Sequence, residues 1–130
     1  MAISHSLAVA QAATNAVVDL IDGGAGDNGT LEILDGATVL VTIDLEVPAF
    51  GAADGSADAA LELGTGLSAV AGETGVADGF KFKDKAGTEI LRGVVATSGA
   101  DMDIDNTSIN AGQIVSVDSY KYNAGQAIIA

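Results

Sequence analysis

The chain has 130 residues, enough for one hydrophobic core and too few for two. Eighteen acidic residues against five basic ones give a formal net charge of -13, which argues against nucleic acid and against anionic membranes as partners. Cysteine is absent, which excludes disulfides, thiolate nucleophiles and Cys-ligated zinc.

The opening twenty residues are fairly apolar. No Lys or Arg precedes them, and Gln11, Thr14, Asn15 and Asp19 interrupt them, so they read neither as a signal peptide nor as a membrane span. They read as a helix. Ser4 or Ser6 can cap it, and Leu7, Ala10, Thr14, Val17, Val18 and Ile21 recur at helical spacing until Asp22 and Gly23-Gly24 end it. Gln11, Asn15 and Asp19 occupy the opposite face. The apolar face is expected to dock on the domain's own sheet or on a neighbour.

Past the glycine-rich loop from Gly23 to Gly29 the period changes to two. Leu31 and Ile33 alternate with Glu32. Val39, Val41, Ile43 and Leu45 then alternate with Leu40, Thr42, Asp44 and Glu46, and Pro48 closes that strand. Ala57 to Leu63 is a weaker strand, and Gly64 to Gly75 reads as a loop of small residues. Phe80 to Lys83 and Thr88 to Val95 flank Asp84-Lys85-Ala86-Gly87, the pattern of a β-hairpin. Met102 and Ile104 alternate with Asp101, Asp103 and Asp105, and a last strand runs from Gln113 to Tyr122. With 17 Gly, no Trp, two Tyr and three Phe, the core is expected to be thin and aliphatic. The predicted fold is mainly β: an antiparallel β-sandwich or jelly-roll-like domain of about seven strands with one N-terminal α-helix. It is a single domain over residues 1–130, with an arm and helix at 1–22 and the sandwich at 30–122.

No constellation assembles a catalytic site, so the chain is read as a non-enzyme with no cofactor. His5 stands between Ser4 and Ser6, but sequence neighbours do not make a triad, which needs a base oriented by a third group. Carboxylates are abundant without any specific pairing. Asp101-Met102-Asp103-Ile104-Asp105-Asn106 starts like a calcium loop, yet its sixth position is Asn106 in place of Gly, and its twelfth is Gly112 in place of Glu. Gly23-Gly24-Ala25-Gly26-Asp27-Asn28 resembles one turn of a calcium-binding β-roll, which needs stacked copies.

Positive charge is distributed more tellingly. Residues 1–80 hold no Lys or Arg, whereas Lys81, Lys83, Lys85 and Arg92 fall within one hairpin, with Lys121 beyond it. Strand alternation separates Phe80 and Phe82 from Lys81 and Lys83. Two readings follow: lysines that protect an edge strand from aggregation, or a basic stripe that docks on an acidic protein. Glu in place of Lys81, Lys83 and Lys85 is expected to leave the fold intact and weaken docking.

Several segments together carry a family resemblance: Met1-Ala-Ile-Ser-His-Ser6, Ala16-Val-Val-Asp-Leu-Ile-Asp22, Pro48-Ala-Phe-Gly-Ala52, Val95-Ala-Thr-Ser-Gly-Ala-Asp101, Asn106-Thr-Ser-Ile109 and Gly112-Gln-Ile-Val-Ser-Val117. The chain resembles short virion structural proteins of tailed bacteriophages, above all the head decoration (cement) type. The resemblance implies a β-rich unit, often trimeric, that binds the major capsid protein on the outside of the virion after synthesis in the host cytoplasm. It fixes no functional residues. A phage tail or neck component and a calcium-dependent carbohydrate-binding module are the competing readings.

Overall fold

The computed structural model describes residues 3–64, 66–117 and 119–124. Helix α1 spans Leu7–Leu20, and Ser6 caps it by accepting a 3.3 Å hydrogen bond from the Val9 amide. Ala10, Thr14, Val18 and Ile21 form its buried face. The helix docks on its own domain. Its polar residues take part, contrary to the expectation that they face away: Gln11 Nε2 donates to the Asp54 carbonyl at 2.9 Å, and Asn15 Oδ1 accepts from the Ala53 amide at 2.8 Å. Thr14, fully buried, donates to the Ala57 carbonyl at 2.7 Å and accepts from the Ala124 amide at 3.2 Å. Buried hydroxyls need partners, and these bonds satisfy the segment that the helix covers. Of the three polar residues, only Asp19 is exposed.

Eleven short strands follow among the described residues: β1 (Thr30–Asp35), β2 (Thr38–Asp44), β3 (Ala59–Ala60), β4 (Leu67–Val70), β5 (Gly75–Val76), β6 (Gly79–Lys83), β7 (Glu89–Ala96), β8 (Met102–Asp103), β9 (Ser108–Ile109), β10 (Ile114–Val117) and β11 (Lys121–Tyr122). The architecture is mainly β, of sandwich-like class, with one N-terminal helix. A five-stranded sheet in the order β2-β1-β6-β7-β8 is accompanied by three two-stranded ribbons, β10-β4, β11-β3 and β5-β9. The hairpin expected around residues 84–87 is β6–β7. Asp84 Oδ1 accepts from the amides of Ala86 and Thr88, and Gly87 supplies a φ of 87° to close the turn.

Four details differ from the sequence reading. The stretch from Gly64 to Gly75, expected as loop, contains β4, where Leu67 is buried opposite Val117. Serine and alanine at 68 and 69 hide its period. The strand expected at 57–63 shrinks to β3 plus an isolated bridge from Leu61 to Phe50, and that expected at 113–122 divides into β10 and β11. Finally, β8 pairs parallel to β7 through only two residues. Parallel pairs ordinarily need a long crossover. Here the carboxylates of Asp101 and Asp103 hold the amides of Val94 and Ala100, taking the place of a longer ladder.

Leu40, expected on the solvent face of β2, is buried. The register slips between Ile33 and Leu34, and the 72–75 segment folds over the site, with the Gly72 amide bonded to the Leu40 carbonyl at 2.9 Å. A Cβ on Gly75 would lie 2.7 Å from Asp35 Oδ2 and 2.9 Å from the Leu40 side chain, so a larger residue there would have to push both side chains aside.

The core is mostly aliphatic, as composition predicts, and four of the five aromatic rings gather in one cluster within and against it. Phe82 stacks edge-on to Phe50 and Phe80 at centroid distances of 5.4 and 5.7 Å, and Tyr120 lies 5.5 Å from both Phe80 and Phe82. Gly93 stands opposite Phe80 across β6–β7, and a Cβ there would come within 2.7 Å of the Phe80 ring. Burial, with Asp101 and Tyr122 adding negative charge nearby, pushes the Tyr120 hydroxyl up to about 12. A raised pKa gives stability that is complete below the ordinary tyrosine value of about 10 and is lost as pH rises through about 12. Tyr120→Phe is therefore expected to flatten the alkaline loss of stability, measured by urea denaturation at successive pH values above 9 or so.

Candidate interaction surfaces

The strand that carries the lysines is the middle strand of the five-stranded sheet, so edge protection does not account for them. Glu32 on β1 lies in register with Lys81 on β6, and Lys81 in turn with Arg92 on β7. The three side chains therefore share one face of the sheet, opposite the aromatic core. Lys83 Nζ donates to Glu32 Oε2 at 3.1 Å, and Lys81 Nζ lies 3.5 Å from Glu32 Oε1 and 3.9 Å from Glu89 Oε1. Arg92 donates twice to Glu89, at 2.6 and 2.9 Å. That hydrogen-bonded fork, with the charges of Arg92, Lys81 and Lys83, holds the Glu89 carboxyl below the usual range.

Glu32 itself is only 8% exposed, and Oε1 takes no hydrogen bond among the described residues. A carboxylate this covered demands compensating charge, and the two lysines provide it. Lys81 and Lys83 are thus engaged by the covered Glu32, while Arg92, 68% exposed, pairs with Glu89 at the surface. Lys85 is apart from them in the turn, where its amide bonds the Gly23 carbonyl at 2.9 Å. The same contact explains the glycine-rich loop: a Cβ on Gly24 would lie 2.9 Å from Ala86, so the loop packs closely on the hairpin turn.

The calcium-like stretch is built otherwise than a metal loop. Asp101 and Asp103 accept backbone amides, and Asn106 Oδ1 accepts from the Ser108 amide at 2.9 Å. Among the described residues no group of three or more His, Cys, Asp or Glu converges as a metal would require. Ser6 is engaged as the helix cap beside His5.

Open hollows indent the surface among the described residues. One, of about 370 Å³, is polar and lined by Asp103, Asp105, Asn106, Gln113 and Ser116 among others. The second, of about 340 Å³, lies beside Tyr120 and Tyr122, with Arg92 and Asp101 at its wall. No helix among the described residues is long and apolar enough to cross a membrane.

Exposed apolar side chains complete the surface. Ile114 on β10 pairs directly with Val70 on β4, and they are 71% and 60% exposed. The pair sits on the outer face of the ribbon, flanked by the cross-strand pair Ser68 and Ser116 and adjoining the polar hollow. A second apolar area is the outward side of α1, with Val9 and Leu20 at 48% and 58% exposure. Sequence reasoning named the N-terminal arm and helix as a candidate contact and passed over the Val70–Ile114 pair. The signal for that pair was Ile114 placed immediately before the inward-facing Val115, which alternation forces outward. No protein-family model, curated protein or solved structure matches the chain.

Proposed function

We propose that the protein is a virion structural protein of a tailed bacteriophage, which decorates the outside of the capsid by binding the major capsid protein. The family resemblance supports the particle, and the exposed Val70–Ile114 pair is the observation that carries the binding mode. An apolar pair rimmed by serines on a short, exposed ribbon suits contact with another protein surface. It offers little to enclose a small molecule, which a binding pocket would largely bury. The reading requires no catalysis and no bound cofactor.

Affinity on a lattice comes from repetition, so each contact can be modest. With Lys81 and Lys83 engaged by Glu32 and Arg92 by Glu89, docking through Val70 and Ile114 has little electrostatic component and is expected to persist at high salt. The test is co-sedimentation with capsids lacking the protein, using Val70→Asp and Ile114→Asp beside the native chain. Both sites are exposed, so the variants should keep their thermal stability within about 0.5 kcal/mol. Binding should fall by about tenfold or more, since a rim-buried carboxylate replaces an apolar contact. Unchanged binding by both variants would remove this face from the account.

A further inference from the structure

We infer that the free edge of β10 takes up an extended, basic segment of another protein as an added strand. β10 has one neighbour among the described residues, β4, so its other edge carries no ladder. Residues of an antiparallel pair alternate between those bonded to the partner strand and those turned away from it. The Gln113 carbonyl accepts from the Ala71 amide at 2.8 Å, which fixes the phase. Val115 and Val117, in register with Ala69 and Leu67, therefore bond to β4. Ile114 and Ser116 direct their N–H and C=O groups outward, and among the described residues those groups make no hydrogen bond.

An open edge of β-branched residues is a template for a further strand, and proteins commonly blunt such edges with lysine or proline. The run from Gln113 to Val117 contains neither. Nor does this edge stand proud of the surface. It forms one wall of the hollow of about 370 Å³, and the segment 103–106 forms another. A hollow bounded by an unpaired strand edge has the shape that an added strand fills, with main-chain bonds as the attachment.

Charge selects the occupant. Asp103 and Asp105 line the hollow, and no Lys or Arg does so among the described residues. Basic side chains spaced along the incoming strand would meet these carboxylates and fix its placement. A second copy of this chain does not fit. Pairing β10 with itself across a two-fold axis would bring Asp103 and Asp105 of both copies together, and Lys81 and Lys83 are held by Glu32 in the middle of the five-stranded sheet. The edge is distinct from the outer face on which Ile114 sits opposite Val70, and the inference does not depend on the capsid reading.

The test is an NMR titration of the full chain with a short, blocked peptide of alternating lysine and valine. A chain of net charge -13 attracts cations diffusely, so the place of binding decides the outcome. Saturable binding is expected, with exchange of the Ile114 and Ser116 amides slowed as they become bonded. The fully N-methylated peptide keeps the charge and lacks the amide donors, and should bind about tenfold more weakly or worse; so should the peptide with glutamate in place of lysine. Asp105→Lys, at an exposed position, should weaken binding of the lysine peptide and leave thermal stability unchanged. Absence of saturable binding, unchanged exchange at Ile114 and Ser116, equal affinity for the N-methylated or the glutamate peptide, indifference to Asp105→Lys, or a native dimer joined through β10 would each overturn the proposal.

Discussion

Replacing both Lys81 and Lys83 with Glu is expected to destabilise the domain by about 3 kcal/mol, a loss that denaturant titration would register as a large fall in midpoint. The lysine side chains are only 21% and 25% exposed and face Glu32, whose side chain is 11% exposed. Charge reversal would set three carboxylates against each other on one half-covered sheet face, with Glu89 close by. Losing one partner of a covered pair typically costs about 3–5 kcal/mol, and partial solvent access lowers that figure here. Lys85→Glu, in the turn and outside the network, should change stability by less than about 0.5 kcal/mol. Equal, small effects at all three positions would restore a simple exposed stripe. From sequence alone the triple replacement was expected to spare the fold; the position of β6 in the middle of the sheet reverses that expectation.

Phe82→Ala should cost about 4 kcal/mol, in the range found when a large buried aromatic is truncated. Phe82 is fully buried and contacts the rings of Phe50, Phe80 and Tyr120. Its removal opens a void at the point where the sheet, the 47–58 segment and the residues before β11 meet. Domains of this size are stable by only about 5–15 kcal/mol, so the variant should unfold at a much lower temperature or fail to fold at physiological temperature. The complementary variant Phe82→Leu, which keeps most of the volume, should cost about 1–2 kcal/mol and keeps the comparison measurable. A cost below about 1 kcal/mol for Phe82→Ala would mean that the aromatic cluster is not where the core is held together.

Those two results bear on what the sequence made legible. Where apolar residues alternate strictly, as at Phe80, Phe82, Leu31, Ile33, Val41 and Ile43, the strands and their inward faces were read correctly. Capping and turn chemistry placed Ser6 and Gly87 for the same local reason. Alternation fails where the residues are small. Ser68 and Ala69 carry almost no periodic signal, so β4 was legible only through its partner β10. Composition told correctly that the core is mostly aliphatic, but not that four of the five aromatics gather in one cluster, which no count reveals.

The candidate surfaces were legible unevenly. That Lys81 and Lys83 share a side followed from alternation, whereas their pairing with Glu32, some fifty residues away, depends on β1 and β6 being neighbours. The polar residues Gln11, Thr14 and Asn15 gave no hint in sequence that they would clasp the segment from Ala53 to Ala57, because such bonds are set by tertiary docking.

The capsid-decoration reading is tested most directly by counting copies bound to purified capsids that lack this protein, at low and at high salt. The account predicts saturable binding at a copy number set by the capsid lattice, hundreds per particle, retained when salt is raised because the contact is apolar. Binding of only a few copies would place the protein in the tail or neck. No binding by a folded, monodisperse protein would contradict the account outright.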